Sequence, residues 1–284
     1  MTFALGAALL ALVTAISCAL PGVFVVLRKN SMLIDAIGHA VFPGIVVGYF
    51  FTHDLDSPWL ILGAALAGLI VVLGAEYLSA TRLISGDAPQ GLIFPALFAG
   101  GVILVTNNFA NIHLDTHAVL VGDLNLASMP HLIVGTRDFG PQYMYVMLLV
   151  LAINVGFIFA FYPQLKLSTF DSEIAQTMGM RPRLLNAAFM FLVSVTVTAA
   201  FNAAGALLVV ALIVVPAATA YLLSKQLSTM FALTIGIAVL GSLGGFWSAY
   251  HLGAATSATM SVFYGVIFIV VWLGQRLFHS LRHV

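Results

Sequence analysis

The sequence carries very little charge. Only 7% of its 284 residues are charged and 62% are hydrophobic, whereas an ordinary soluble domain has roughly 25% charged residues. Such a chain cannot cover itself with a water-compatible surface, so it is predicted to be a membrane protein. Its ten basic and ten acidic residues balance to a formal charge of zero. No basic face is therefore available for nucleic acid, which is excluded as a partner.

Cysteine and lysine are also scarce. The single Cys18 lies in an apolar run, which excludes a disulfide framework, a zinc knuckle and an iron–sulfur cluster. None of the three lysines (Lys29, Lys166 and Lys225) follows a glycine, so the phosphate loop GxxxxGK[ST] is absent. The chain also lacks GxSxG and HExxH motifs. It is therefore predicted not to be an enzyme, and any ATP hydrolysis must come from a separate subunit.

Long apolar runs separated by charges, prolines and polar turns dominate the chain. A membrane-spanning helix needs about 20 such residues. The sequence therefore predicts an all-α polytopic membrane protein with about nine transmembrane helices, within a range of eight to ten, in a single transmembrane domain over residues 1–284. The predicted spans are 4–27, 36–52, 58–79, 89–106, 142–162, 184–201, 203–223, 229–250 and 256–274.

The positions of lysine and arginine predict the orientation. With the N-terminus outside and the C-terminus in the cytoplasm, every basic residue except Arg137 falls on the cytoplasmic side, as the positive-inside rule requires. Two long loops then follow: an outer loop over 107–141, and a cytoplasmic loop over 163–183. Within the outer loop, residues 116–134 are predicted to form a partly re-entrant segment.

Two ionisable residues lie close together at the start of the second span. Asp35 and His39 are four residues apart, which places both side chains on one face of a helix. Ionisable groups in a span mark transport paths by default, and a carboxylate with an imidazole suits manganese, ferrous iron or zinc. Pro43 and Gly44 follow one turn later, where they are predicted to break or kink the helix. The alternative is a structural role for both residues, in which Asp35 caps the start of the helix and a neighbouring hydroxyl group forms a hydrogen bond with His39.

The outer loop holds a second set of ligand-type residues. His113, Asp115 and His117 are spaced two and four residues apart, and their side chains could hold a metal ion. The alternative is that these polar side chains are solvated in a loop.

Four segments in the same order resemble the membrane permeases of bacterial metal-ion ABC transporters, the manganese, zinc and iron family. The first resembles a basic turn followed by D-A-x-S-H-A-x-x-P-G, and the second resembles the family's coupling helix, with Asp171, Ala175 and Gly179 at matching places. The third surrounds Gly205 and Pro216, and the fourth surrounds Gly122. In this sequence the first segment reads VLRKNSMLIDAIGHAVFPG and the second reads FDSEIAQTMGM. The third reads AAGALLVVALIVVPAATAYLL and the fourth reads LDTHAVLVGD.

The resemblance implies a type II ABC importer-like permease in the bacterial cytoplasmic (inner) membrane. A second permease chain, identical or related, would enclose the transport path together with this one. Two cytoplasmic ATP-binding subunits would dock near Asp171, Glu173, Ala175 and Gly179. An extracytoplasmic metal-binding protein would deliver the ion. Membrane lipid surrounds the chain. Asp35 and His39 match the family's intramembrane metal positions, and Pro216 would act as a hinge. No cofactor is bound permanently, because the metal is the transported substrate.

The sequence departs from the family pattern at two positions. Gly38 replaces the usual serine beside the histidine, and His117 is one residue out of step, so no family role is carried to it. The donor set accepts manganese, iron and zinc alike, and the absence of cysteine at the proposed site favours manganese. Three other functions stay open: a permease for a metal chelate, siderophore or vitamin; an ATP-independent secondary metal transporter; and an intramembrane protease using Ser194 or Ser242.

Overall fold

A computed structural model of the chain describes residues 3–54, 57, 59–81, 83, 84, 86, 88–108, 123–134 and 137–282. Within these residues, eight helices are long and apolar enough to cross a membrane. The predicted all-α polytopic fold is therefore confirmed. The elements are α1 (Phe3–Leu27), α2 (Ser31–Thr52), α3 (Trp59–Ala80), α4 (Ala88–Asn108), α5 (Leu124–Ala127), β1 (His131–Val134), β2 (Arg137–Pro141), α6 (Gln142–Phe170), α7 (Ser172–Thr177), α8 (Pro182–Leu223), α9 (Leu227–Leu252) and α10 (Thr256–Arg282).

Helix α8 contains the boundary between two predicted spans. Its 42 residues would extend about 63 Å as one straight helix, about twice the hydrocarbon thickness. Gly205 interrupts the helix with φ 76° and ψ 164°, a conformation that essentially only glycine adopts. The predicted spans 184–201 and 203–223 thus correspond to the two parts of α8, which explains why nine predicted spans match eight helices.

Pro216 does not break α8. The helix continues through Pro216 to Leu223, and the non-helical dihedral angles lie at Gly205. Proline removes one backbone N–H from a helix, but its φ remains compatible with helical geometry. Within a membrane, groups on neighbouring helices can satisfy the backbone carbonyl that loses its partner, so proline is tolerated there. The interruption of α8 therefore lies at Gly205, close to the predicted boundary between spans 184–201 and 203–223, and the role of Pro216 as a hinge stays a prediction.

The chain forms two compact units, and the predicted single domain over 1–284 stays a prediction. The first unit comprises Met1–Leu27, Val121–Val155 and Asn202–Val284. In its core, α1 packs against α9 and the second part of α8 through Val23, Ala217 and Met230. Helix α10 is joined to α9 by fully buried Tyr264, whose hydroxyl donates to the carbonyl of Ala238 at 2.6 Å.

The second unit comprises Arg28–Leu120 and Gly156–Phe201. It holds α2, α3, α4 and α7, together with the end of α6 and the first part of α8. Small side chains of α2 and α3 form its core, including Ala36, Ala40 and Ala67, against which Phe94 and Leu97 of α4 pack. This unit contains both Asp35 and His39.

The described part of the predicted outer loop contains regular structure that the sequence analysis did not predict. Strands β1 and β2 form an antiparallel hairpin in which Ile133 pairs with Asp138. Short helix α5 precedes the hairpin, and the amide of Asn125 donates to the hydroxyl of Thr256 at 2.8 Å. The apolar, β-branched run HLIV was the only local signal for β1. The predicted re-entrant segment 116–134 lies mostly outside the described residues, so it stays a prediction.

Asp138 stabilises this hairpin through its carboxylate. The backbone N–H of Gly140 donates to it at 2.8 Å, and Nδ1 of His131 lies 2.9 Å from both of its oxygens. The Gly140 hydrogen bond, followed by that of His131, lowers the pKa of Asp138 to about 2. Because this pKa is below the ordinary value of about 3.9, the stabilisation is present above about pH 4 and is lost as the pH falls towards 2.

We expect the Asp138 carboxyl carbon to titrate with a midpoint near 2. Carbon-13 labelling of aspartate in micelles, followed by an NMR pH titration, measures that midpoint, and Asp138→Asn identifies the resonance by deleting it. In His131→Ala the midpoint should rise yet stay below the ordinary value, because the Gly140 hydrogen bond remains. A midpoint near 4 in the unmodified protein would contradict the described hydrogen bonds.

Candidate functional site

Helix α2 presents Asp35 and His39 on one face. The helix begins at Ser31, with Asn30 at the N-cap, so Asp35 lies inside the helix and does not cap it. The side chains of Asp35 and His39 are 53% and 38% exposed. Ionisable side chains that are this exposed within a membrane span must face water, protein or an ion, because lipid would not solvate them.

The separation of the two side chains suits a shared ion. Nε2 of His39 lies 3.8 Å from Oδ1 of Asp35, which is too long for a hydrogen bond. Two donor atoms that bind one ion at about 2.0–2.2 Å can lie up to about 4.4 Å apart. The pair can therefore hold one divalent cation without rearrangement of the backbone.

Two phenylalanines of α4 hold the imidazole of His39. The ring of Phe94 stacks on it, with centroids 5.2 Å apart and planes 18° apart. The ring of Phe98 meets it edge-on at 6.5 Å and also contacts Phe42 at 5.4 Å. Such contacts restrict the ring's rotation. The sequence analysis missed both residues, although their spacing of four in FPALF was the available signal.

The described residues offer no complete metal site within one chain. No group of three or more His, Cys, Asp or Glu side chains able to hold a metal occurs in the part of the chain that the structure describes. His113, Asp115 and His117 lie outside the described residues, so their role stays a prediction. Asp35 and His39 thus supply two donors, and further donors for a divalent ion must come from elsewhere.

Pro43 does not interrupt α2, which continues to Thr52. A proline has no N–H to donate to the carbonyl four residues earlier, and in α2 that carbonyl belongs to His39. Pro43 therefore does not end α2, and a kink at this position stays a prediction. The carbonyl of His39 lacks the helical N–H donor that a residue other than proline would supply at position 43.

Gly44 serves close helix packing and does not break α2. A β-carbon at Gly44 would lie 2.4 Å from the Cα of Ala64, closer than any real contact. Gly63 and Gly48 line the same crossing of α2 and α3, where a β-carbon on either would meet backbone atoms at 2.7 Å and 3.1 Å. Small residues spaced by four allow helices in membranes to approach closely. This packing fixes α2, and with it the candidate ligands, against α3.

We expect Gly44→Ala to destabilise the protein by about 1–3 kcal/mol, because the added methyl group forces α2 and α3 apart. The thermal midpoint of the detergent-solubilised protein measures this loss. Gly91→Ala is the matched control, because a β-carbon at Gly91 meets nothing within 4 Å and alanine favours a helix. Equal midpoints for the two variants would contradict the described helix crossing.

The segment that resembles a coupling helix is a short capped helix, α7. Asp171 is its N-cap, and the carboxylate accepts a hydrogen bond from the N–H of Ile174 at 2.9 Å. Glu173 lies in the first turn, where a negative charge complements the helix dipole. Ala175 is fully buried. The helix that the resemblance implies in FDSEIAQTMGM is therefore present over Ser172–Thr177, and it begins after Phe170 because α6 extends to that residue.

Gly179 ends α7 in the left-handed conformation with φ 79°. Its N–H donates to the carbonyl of Gln176, and the N–H of Met180 donates to the carbonyl of Ala175. These two hydrogen bonds form a Schellman motif, in which glycine is favoured because it has no β-carbon. Asp171 and Gly179 thus each have a local structural role, one at each end of the same helix.

Arg28 joins the helix ends beside α7. Its guanidinium donates to Thr169 Oγ1 at 2.9 Å, Asn186 Oδ1 at 2.7 Å and Ser168 Oγ at 3.1 Å, and it lies 5.1 Å from the ring centroid of Phe189. Burial lowers the pKa of Arg28 to about 10, and nearby Glu76 opposes that shift. The group therefore stays charged at neutral pH.

A polar cavity of about 560 Å³ lies beside this network. It is lined by Arg28, Glu76 and Asn186, together with Ser172 and Gln176 of α7, and the amide of Asn186 donates to Oε1 of Glu76. The sequence analysis recognised the basic turn but missed these partners, because they are brought together only by tertiary structure.

Comparisons with known proteins cover almost the whole chain. The chain is 40% identical over 265 residues to the zinc transport system membrane protein TroD of Treponema pallidum, covering 93% of this chain and 72% of that protein. It is 35% identical over 258 residues to the manganese transport system membrane protein MntD of Bacillus subtilis, covering 91% and 87%.

A solved structure has the same fold. PsaBC from Streptococcus pneumoniae in complex with Fab matches with a TM-score of 0.78 and 26% identity, covering 96% of this chain and 91% of that chain. The model of the ABC 3 transport family matches residues 1–275. These agreements in sequence and fold establish that this multi-pass membrane protein belongs to the ABC 3 transport family.

Proposed function

We propose that the chain is the permease subunit of an ATP-driven importer of divalent transition-metal ions. The observation that carries this proposal is the Asp35–His39 pair, which is open, spaced for one ion and located in a span. The names of the relatives, which are membrane proteins of zinc and manganese transport systems, support the same function.

A second permease chain would complete the metal site. One chain offers two donors, and a second copy or a related chain would bring the set to four, the number that many transition-metal sites contain. The ion must also leave on the inner side, so the site must bind it weakly enough for release. A transient site shared by two chains meets both requirements.

ATP hydrolysis would come from two cytoplasmic subunits docked at α7. Ile174 of α7 and Met178 at its C-cap are 50% and 66% exposed and lie one helical turn apart. Exposed apolar side chains beside charged residues are typical of a protein interface. Closure of the ATP-binding subunits would then move α7 and the adjoining helix ends as a rigid body.

The orientation predicted from the positions of lysine and arginine also assigns the cytoplasmic and the outer side of the protein. The turn at Arg28, the α7 segment and Lys225 all lie in the cytoplasm only if α8 crosses the membrane twice, and the break at Gly205 allows two crossings. We therefore place the N-terminus outside, the C-terminus in the cytoplasm and the chain in the bacterial cytoplasmic membrane. An extracytoplasmic protein would deliver the ion.

The donor set favours manganese over a thiolate-dependent ion. One carboxylate and one imidazole accept manganese, ferrous iron and zinc, and Cys18 is fully buried away from any exposed site. The names of two relatives, one from a zinc and one from a manganese transport system, support a donor set that accepts either ion.

Metal accumulation tests the proposal directly. Cells would express the chain with its ATP-binding subunits and binding protein, and manganese, zinc and iron would be measured in parallel by mass spectrometry. We expect accumulation of at least one ion, and its loss when the ATP-binding lysine of the ATPase subunit is replaced. Accumulation that persists without ATP hydrolysis would indicate a secondary transporter, and uptake of the metal only as a chelate would indicate a chelate permease.

A further inference from the structure

An apolar cavity next to the Arg28 network lies at the cytoplasmic ends of α6 and α8, and Ser168 and Pro182 line both this cavity and the polar one. Its volume is about 310 Å³, at the lower end of the range for ligand pockets. Its walls are formed largely by apolar side chains of the two helices, including Phe157, Phe161, Leu185 and Ala188. Phe161 and Leu184 are also 38% and 63% exposed, so the cavity opens to the surface of the chain.

Three polar side chains are added to this apolar lining, and one of them, Ser168, already accepts a hydrogen bond from Arg28. Arg181 lies in the cavity wall at the start of α8 and is exposed. Gln164 lines the same cavity, and its buried side-chain oxygen has no hydrogen-bond partner among the residues that the structure describes. A ligand that enters here would therefore meet an apolar floor, a positive charge and an amide that rotation can turn towards a donor.

We propose that this cavity binds an anionic glycerophospholipid of the cytoplasmic leaflet. The cavity is too small for a whole phospholipid, so part of one acyl chain would fill it while the phosphate pairs with Arg181 and the rest of the lipid remains in the bilayer. Basic pockets between helices on the cytoplasmic side suit anionic headgroups. A headgroup hydroxyl, as in phosphatidylglycerol, would donate to the side chain of Gln164.

The bound lipid would also contact the segment that follows α7. Met180 lines the cavity, and its N–H completes the Schellman motif that ends α7. Occupation of the cavity would therefore hold the C-terminal end of α7 against α6 and α8. This part of the inference rests on the proposed coupling role of α7, whereas the lipid site itself rests only on the cavity and on the orientation of the chain.

Native mass spectrometry of the detergent-purified chain tests the lipid site without metal or ATP. Phosphatidylglycerol is titrated against phosphatidylcholine for the unmodified protein, Arg181→Gln and Ala188→Phe. The first variant removes the charge, and the second fills the cavity while keeping Arg181. Lys29→Gln is the control, because it removes another exposed basic residue of the same predicted side.

We expect the unmodified protein and Lys29→Gln to retain phosphatidylglycerol in preference to phosphatidylcholine. Arg181→Gln should bind phosphatidylglycerol about fivefold more weakly, as expected for loss of one basic contact near an anionic headgroup, and Ala188→Phe should lose the bound lipid. Equal retention in all four proteins would overturn the proposal. A second outcome would also overturn the proposal: both cavity variants retain the lipid unchanged but lose the ATP-binding subunit that co-purifies with the unmodified chain. That outcome would make the cavity a contact site for protein.

A second measurement separates the lipid site from the proposed transport function. The assembled complex is placed in vesicles of phosphatidylcholine with and without phosphatidylglycerol, and ATP hydrolysis is followed. Stimulation by phosphatidylglycerol that is lost in Arg181→Gln and Ala188→Phe supports contact between the lipid and α7. Lipid retention without stimulation keeps the site and overturns only its link to α7.

Discussion

Asp35→Asn and His39→Ala are each expected to lower metal uptake by about 100-fold or more. Loss of a group that merely orients a metal ligand costs about 10–100-fold, and these side chains are proposed to bind the ion directly. Because each variant would remove a donor from both copies in a symmetric pair, the site would lose half of its protein donors. Uptake by cells and ATP-dependent transport into vesicles both measure the effect.

The variants are chosen so that folding and binding can be distinguished. Asp35→Asn keeps the size of the side chain and removes its charge, and both side chains are partly exposed, so membrane insertion and thermal midpoint should change little. Asp35→Glu should restore part of the uptake because it restores a carboxylate. His251→Ala is the control for His39→Ala, since His251 is an exposed histidine at the end of α9.

Unchanged uptake in Asp35→Asn and His39→Ala, with the protein inserted and assembled, would contradict the proposed site. The search for ligands would then move to His113, Asp115 and His117. A fall in uptake only in proportion to a fall in protein abundance would assign the pair a structural role.

The features that sequence predicted well are those with local causes. The spans follow from apolar runs bounded by charge, and the helical spacing of Asp35 and His39 places both on one face of α2. Helix α7 is flanked by residues with local roles, Asp171 as N-cap and Gly179 in a left-handed conformation. Such determinants lie within a few residues of one another, so a pattern can reveal them.

The features that sequence did not predict depend on contacts between distant segments. Phe94 holds His39 only because α4 packs on α2, and Gly44 is required by the backbone of α3, so neither role can be seen in its own segment. Pro43 was predicted to break or kink α2, yet the helix continues through it to Thr52. The break at Gly205 follows from a backbone conformation that composition alone does not specify.

Arg28→Ala is expected to have the largest effect on stability and coupling. It would leave the side-chain oxygens of Ser168, Thr169 and Asn186 without their charged donor, and we expect a destabilisation of about 3 kcal/mol. Ser168 and Thr169 lie three and two residues before Asp171, the N-cap of α7. Loss of Arg28 should therefore free the end of α6 that carries α7, so that motion of the ATP-binding subunits is transmitted poorly.

Arg28→Lys separates coupling from folding. Lysine keeps the positive charge and much of the packing, but its single ammonium group cannot reproduce the planar fork that reaches three acceptors. We expect the variant to fold and assemble, to hydrolyse ATP, and to transport fewer ions for each ATP hydrolysed. Parallel measurement of ATP hydrolysis and metal transport in vesicles gives that ratio, and Lys29→Gln, a change in the neighbouring exposed basic residue, should leave it unchanged. A normal ratio in Arg28→Lys would show that charge and packing at this position suffice, and that the three directed hydrogen bonds do not hold α7 for coupling.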